Sequence, residues 1–162
     1  MKSAADLLSD IEEIMGDSWL PSVYRELVLK IRTRSYEFPA VPKRGDPQIY
    51  HTLLGVEIKV GRRRMLCPDL ATARYLAVFA RLGGRAVAIP YDITKISLVA
   101  DELERSWHRM LLLADSMTTD RTPAFRTRVR QLLIAKVREE IAAAGSGPRI
   151  PEFKQSTKQR SR

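Results

Sequence analysis

The stretch Ile49-Tyr50-His51-Thr52-Leu53-Leu54-Gly55-Val56-Glu57-Ile58-Lys59-Val60 predicts a β-hairpin, because two apolar runs meet at a tight turn at Leu54-Gly55. Glu57 and Lys59 are two residues apart in the second run, and residues at that spacing project from the same face of a strand. Asp46 stands where the preceding strand is expected to begin. An acid followed by Glu-x-Lys on the next strand is a minimal set for holding Mg²⁺ beside a phosphodiester.

The residues that follow the hairpin predict an α/β core. A turn at Gly61-Arg62 leads into a short third strand over 64–66, and Asp69 is a good N-cap for a largely apolar helix over 70–82. Gly83-Gly84 ends that helix. Residues 85–89 then form a continuous apolar run, which is typical of a strand inside a sheet next to a crossover helix. Helix, meander, helix and strand together predict a central mixed sheet.

Helices are expected on both sides of this core. The spacing of apolar residues predicts helices at residues 3–15, from about 18–21 onward, at 93–117, and from Thr122-Pro123 to the Gly145-Ser146-Gly147-Pro148 stop, with a strand at 36–41. These patterns predict a single α/β domain over 1–147, with a core at about 20–92 and a helical extension at 93–145. Residues 148–162 are expected to be a basic, flexible tail.

Composition favours an anionic partner inside the cell. The chain has 162 residues with a net charge of +9, and such a surplus favours nucleic acid first and an acidic membrane second. Cys67 is the single cysteine, which excludes an intramolecular disulfide and fits a reducing, cytoplasmic compartment. With two histidines besides, a structural zinc site is not expected. No apolar run approaches the roughly 18 residues of a membrane span, so no membrane partner is expected.

The candidate site residues follow from this chemistry. Asp46 and Glu57 would bind the metal, and Lys59 would orient water or stabilise the developing charge. Basic side chains beside the hairpin would contact backbone phosphates: Lys43, Arg44, Arg62, Arg63 and Arg64. Two ordinary interpretations stay open, namely that Glu57 and Lys59 are an exposed salt-bridged strand pair and that the charged turn only aids solubility.

The order of elements resembles the PD-(D/E)XK nuclease superfamily, and within it the archaeal Holliday-junction resolvases. The resemblance runs from about Tyr24 to Pro90. It includes a helix carrying the acid Glu26, the Val56-Glu57-Ile58-Lys59 strand, a crossover helix and Phe79-Ala80-Arg81-Leu82-Gly83-Gly84 before an apolar strand. It implies a restriction-endonuclease-like core with a central mixed sheet, N-terminal helices and two long C-terminal helices.

The same resemblance implies an activity. It implies Mg²⁺-dependent (or Mn²⁺-dependent) hydrolysis of nucleic acid, with structured or branched DNA as the favoured substrate and a symmetric homodimer as the working unit. It also makes Glu26 a candidate catalytic residue, the alternative being a solvated helix residue. The apolar residues of the helical extension would form either the dimer surface or intramolecular core.

One position departs from the family pattern. The family usually has Pro-Asp-Ile where this chain has Pro47-Gln48-Ile49, and an amide brings no negative charge to a metal. Asp46 lies two residues earlier, which is roughly 6.5 Å along an extended strand. Two further functions therefore stay open. One is a catalytically degenerate nuclease fold that binds nucleic acid or a protein, and the other is a helical interaction protein that binds its partner through residues 93–144.

Overall fold

The structure is a computed structural model that describes residues 1–38 and 46–147. The predicted phosphate-binding residues Lys43 and Arg44, the end of the strand predicted at 36–41, and the predicted tail at 148–162 lie outside the described residues. The described chain is a mixed α/β fold.

The helices agree closely with the sequence pattern. They are α1 (Ala4–Met15), a 3₁₀ turn (Gly16–Ser18), α2 (Leu20–Val23) continuing into a π-helical turn (Tyr24–Val28), α3 (Leu70–Leu82), α4 (Ile93–Met117) and α5 (Pro123–Ala144). The Ser3 side chain caps α1, Asp69 caps α3 and Thr122 caps α5, each by accepting a backbone N–H of the first turn. None of the described helices is long and apolar enough to cross a membrane.

The described strands form two separate antiparallel sheets, so the single central mixed sheet that we predicted is not what these residues build. Strands β2 (Gln48–Thr52), β3 (Gly55–Val60) and β4 (Arg63–Cys67) make a three-stranded sheet in the order β2-β3-β4. Strands β1 (Thr33–Glu37) and β5 (Ala86–Pro90) make a two-stranded sheet. The first strand thus begins three residues earlier than predicted.

Tyrosine hydroxyls explain why β5 pairs with β1 alone among the described strands. The Ala88 N–H donates to the Tyr24 hydroxyl at 2.9 Å, and the Tyr75 hydroxyl donates to the Ala88 carbonyl. The Tyr24 hydroxyl also donates to the Gly145 carbonyl at 2.6 Å. The two tyrosine hydroxyls thus satisfy the backbone N–H and carbonyl of Ala88 at the outer edge of β5. A further strand is not required to satisfy these groups.

The residues after α5 cover the same sheet. The Ser35 hydroxyl donates to Ser146 at 3.0 Å, which ties this segment to β1. Gly147 has φ +76°, and a Cβ at that position would come within 2.5 Å of the Thr33 hydroxyl oxygen. Only glycine fits this close crossing, because any side chain would meet the sheet and strain the backbone.

The apolar faces of the long helices are intramolecular core. Leu103 and Met110 of α4 and Leu133 and Val137 of α5 are fully buried within the chain. Helix α3 packs between α4 and the covered face of the three-stranded sheet, where Ile58 is fully buried. Of the two uses predicted for these apolar residues, the structure shows the intramolecular one.

Candidate nucleic-acid interface

The three-stranded sheet has one covered face and one open face. Along β3 the residues alternate strictly, with Val56, Ile58 and Val60 buried and the residues between them half-buried. Because side chains alternate across a strand, Glu57 and Lys59 project together from the open face. This confirms the arrangement of the pair that the spacing predicted.

Two cross-strand rows of side chains make up the centre of the open face. In the antiparallel register Gln48 lies opposite Lys59, which lies opposite Arg64. In the next row Tyr50 lies opposite Glu57, which lies opposite Leu66. Directly opposed Cβ atoms are about 5 Å apart, so each row is a set of neighbouring side chains.

Gln48 occupies the position beside the Glu-x-Lys pair. Its side-chain oxygen accepts a hydrogen bond from the Tyr50 hydroxyl. By the register of the two strands, Gln48 is the β2 residue opposite Lys59, and Tyr50 is the β2 residue opposite Glu57. Tyr50 was not among the predicted site residues, although its two-residue spacing from Gln48 could have placed both on this face.

Asp46 is not in either row. It lies four residues before Tyr50, which is about 13 Å of extended chain from the position opposite Glu57. Asp46 is exposed and instead lines a cleft together with Arg81, Gly84 and Arg85, at the C-terminal end of α3. The structure thus brings Glu57 and Lys59 together but places Asp46 with different neighbours.

The predicted arginine triplet divides between the two sides of the sheet. Arg62 lies in the exposed turn between β3 and β4. Arg64 shares the open face with Lys59, whereas Arg63 is opposite Val60 and belongs to the other face, where it is exposed at the end of the strand. The Arg64 guanidinium approaches the Glu57 carboxylate at 3.8 Å, which is a loose, solvent-screened ion pair.

Glu26 lies on the π-helical turn and pairs with Lys30, four residues later. Both side chains are more than half exposed. The structure shows no contact between Glu26 and the Glu57–Lys59 pair among its described hydrogen bonds and ion pairs. This geometry is that of the solvated helix residue, the alternative that the sequence left open.

The open face does not present the ligands that Mg²⁺ prefers. Its central rows hold one carboxylate, Glu57, and one amide oxygen, Gln48, beside the cations Lys59 and Arg64. A hard divalent cation is usually held by several oxygens, most of them from carboxylates or water, and is repelled by adjacent cations. Over residues 1–38 and 46–147, no three His, Cys, Asp or Glu side chains come together as a metal site.

Cys67 is a structural residue of the covered face. It is a free thiol and is almost completely buried. Burial raises the pKa of the Cys67 thiol to about 11, and the nearby Asp69 carboxylate adds to the rise. A protonated, enclosed thiol is a poor nucleophile and metal ligand, so Cys67 does not contribute to the open face.

Comparison with known proteins adds no relative from which a function could be taken. No family model, no curated protein and no solved structure matches this chain.

Proposed function

We propose that this protein binds nucleic acid through the open face of its three-stranded sheet without cutting it. The observation that carries the proposal is the register of β2 and β3, in which Gln48 lies opposite Lys59 and next to the Tyr50–Glu57 row. Gln48 thus stands where the nuclease pattern would need its first acid. The face keeps the basic groups that contact phosphates and lacks the paired carboxylates that hydrolysis requires.

The charge of the open face supports this proposal. Lys59, Arg62 and Arg64 carry three positive charges, while Glu57 carries the one negative charge in the central rows. Lys59 forms no ion pair with any described residue, so its ammonium is available to a phosphate. Tyr50 is 43% exposed and offers an aromatic ring at the edge of the basic area. Such a combination favours contact with a nucleic-acid backbone and its bases.

The wider interpretation rests on the resemblance noted above. We propose that the hairpin and α3 derive from a restriction-endonuclease-like core, with DNA favoured over RNA and branched DNA as the favoured form. The homodimer implied by the resemblance and the cytoplasmic location expected from the single cysteine belong to the same proposal. The antiparallel hairpin carrying Glu-x-Lys, followed in the chain by α3, supports this origin, whereas the pairing of β5 with β1 does not.

Binding is tested by fluorescence anisotropy with labelled duplex and four-way-junction DNA over a range of salt concentrations. We expect a Lys59→Gln/Arg64→Gln variant to bind about tenfold more weakly and to lower the salt slope by about 1.8, since two phosphate contacts are lost. A Lys95→Gln/Arg109→Gln variant of α4 removes the same charge from exposed positions away from the sheet. If both variants lose affinity equally, binding is a nonspecific charge effect and the proposed face is wrong.

Cleavage is tested with the same DNA in the presence of Mg²⁺ or Mn²⁺. We expect no cleavage by the parent protein. Metal-dependent cleavage that disappears in a Glu57→Gln variant would instead establish the hydrolytic function and overturn the proposal.

The position assigned to Gln48 has its own test. A Gln48→Asp variant places a second carboxylate beside Glu57, and we expect it to bind Mn²⁺ measurably by calorimetry where the parent protein does not. A His51→Asp variant adds the same charge to β2 at an exposed position on the other face of the sheet, as a control for simple electrostatic attraction. Equal metal binding by the two variants would show that position 48 is not special.

A further inference from the structure

We propose that the turn of the β2–β3 hairpin inserts two leucines between bases of the bound nucleic acid, so that the protein favours DNA in which a base step is already unstacked. Leu53 and Leu54 are the two residues of that turn, and both side chains are almost completely exposed. This inference rests on the proposed function, because it concerns the same open face and the same ligand.

The turn does not need leucine for its own stability. The Thr52 hydroxyl accepts the Leu54 N–H at 3.2 Å and donates to the Gly55 carbonyl at 2.9 Å, so Thr52 closes the turn. Gly55 supplies the positive φ, at +130°. Polar residues such as asparagine, aspartate and serine are typical of turns. Neither turn chemistry nor packing against the described residues therefore accounts for two leucines at this place.

The leucines extend an apolar end of the open face. Leu66 is 59% exposed, and a Cβ at Gly55 would lie 3.7 Å from its Cδ1 atom, so the Leu66 side chain lies beside the base of the turn. Tyr50 is in the same cross-strand row as Leu66. We call Leu53, Leu54, Leu66 and Tyr50 the apolar end. An apolar wedge with an aromatic ring beside it can unstack a base step and hold the freed base.

The opposite end of the same face is basic, and it identifies the ligand. Lys59 lies four residues beyond Gly55, about 13 Å along the strand, and Arg64 lies opposite it. A phosphate backbone complements these cations. Because a stacked strand rises about 3.4 Å per nucleotide, a strand held there by one phosphate reaches the apolar end about four nucleotides further on. The two ends therefore suit one nucleic acid, which they contact through its backbone and through an unstacked base.

The turn is less suited to a membrane. Residues 49–56 contain no lysine or arginine. A segment that enters an anionic lipid surface is buried to a depth of about 5–10 Å and is usually rich in cations on its polar side. The nearest cation on this hairpin, Lys59, is about 13 Å from the base of the turn, which is beyond that depth.

The test compares two labelled DNA duplexes by fluorescence anisotropy, one perfect and one with a single-nucleotide bulge beside a 2-aminopurine. We expect the parent protein to bind the bulged duplex at least about tenfold more tightly, because the bulge lowers the cost of unstacking. 2-Aminopurine emits more strongly when it is unstacked, so its emission should rise when the parent protein binds.

A Leu53→Ser/Leu54→Ser variant removes the wedge and keeps residues that turns accept. We expect it to bind the perfect duplex within about threefold of the parent protein, to lose the preference for the bulge, and to leave the 2-aminopurine emission unchanged. Leu53→Met/Leu54→Met keeps an apolar wedge and should behave like the parent protein. Leu98→Ser/Leu112→Ser is the matched control, because these leucines are likewise exposed but lie on α4, and it should keep the preference.

Failure of this inference can be told apart from failure of the proposed function. Equal binding of the two duplexes by the parent protein, or a preference that persists in Leu53→Ser/Leu54→Ser, would overturn the inference alone. Absence of DNA binding by the parent protein would overturn both. Binding to phosphatidylserine vesicles that is lost in Leu53→Ser/Leu54→Ser would assign the turn to a membrane instead.

Discussion

The two-stranded sheet and the three-stranded sheet are built from strands of similar length, but they are enclosed differently. At the outer edge of β5, the N–H and carbonyl of Ala88 are satisfied by Tyr24 and Tyr75, and residues 145–147 lie against the sheet. The three-stranded sheet instead leaves one face to solvent, and that face carries Gln48, Lys59 and Arg64. The difference separates residues that stabilise the fold from residues that are free to bind a ligand.

The largest expected change in the free energy of unfolding comes from the covered face of the three-stranded sheet, and a matched substitution on the open face is the comparison. Ile58 is fully buried on the covered face, so Ile58→Ala should lower the free energy of unfolding by about 3 kcal/mol through lost burial and a new cavity. Leu66 lies on the open face and is 59% exposed, so Leu66→Ala should change stability by less than about 0.5 kcal/mol. Denaturant unfolding followed by circular dichroism measures both, and similar losses would mean that the open face is covered in solution.

The next effect on stability compares Tyr24, which contacts the two-stranded sheet from the π-helical turn, with Tyr50 of the three-stranded sheet. Tyr24→Phe removes the hydroxyl that joins Ala88 to Gly145, and the unsatisfied backbone groups should cost about 2 kcal/mol. Tyr50→Phe removes only an exposed contact with Gln48, so its effect should be below about 0.5 kcal/mol. The same unfolding assay applies. A Tyr24→Phe protein as stable as the parent would show that the edge of β5 is not sealed in this way.

A smaller, pH-dependent effect is expected from Cys67 on the covered face. Its pKa is raised from 9.0 to about 11 in the folded protein, so the unfolded chain loses the thiol proton first. Stability is therefore complete below about pH 9 and declines as the pH rises toward 11, by about 1.4 kcal/mol at about pH 10.

Comparison with Cys67→Ala measures this contribution together with the effect of the thiol on the raised pKa of Tyr36. Burial also raises the pKa values of Tyr24 and Tyr75, whose effects both proteins share. The difference in unfolding free energy between the parent and Cys67→Ala should decrease between about pH 8 and 10. A constant difference would show that the thiol titrates normally in the folded state.

The smallest effect on stability is expected at Glu57. Its ion pair with Arg64 is long, at 3.8 Å, and Arg64 is largely exposed, so Glu57→Gln should change stability by less than about 0.5 kcal/mol. The same variant should bind DNA more tightly, because it removes the negative charge from a basic face. Weaker binding would instead indicate that the carboxylate holds Arg64 in its binding orientation.

Much of the local structure could be predicted because its causes are local. Asp69 and Gly83 delimit α3 at the predicted residues, since an N-cap side chain and a left-handed glycine act within one helical turn. The placement of Glu57 and Lys59 on one face follows from the two-residue period of a strand. The shared face of the site pair was therefore predictable, and so was the covered face defined by Ile58.

The prediction of one mixed sheet was wrong because the partner of a strand is decided by residues that are distant in the chain. The apolar run ending at Ile89 was compatible with the interior of a sheet, and nothing in its neighbours indicates that Tyr24, more than sixty residues away, would occupy its edge. The position of Asp46 could not be predicted from the sequence either, because the direction of the chain before β2 depends on which residues pack there.

The sequence by itself determined the helix ends, the hairpin and the alternation of its two faces, because caps, turns and periodicity depend on near neighbours along the chain. Only the tertiary structure decided that β5 pairs with β1, that Gln48 rather than Asp46 lies opposite Lys59, and that Asp46 lies with Arg81 and Arg85 at the end of α3. Those outcomes depend on which distant groups satisfy a buried backbone atom or enclose an apolar surface, and such contacts leave no local pattern in the chain.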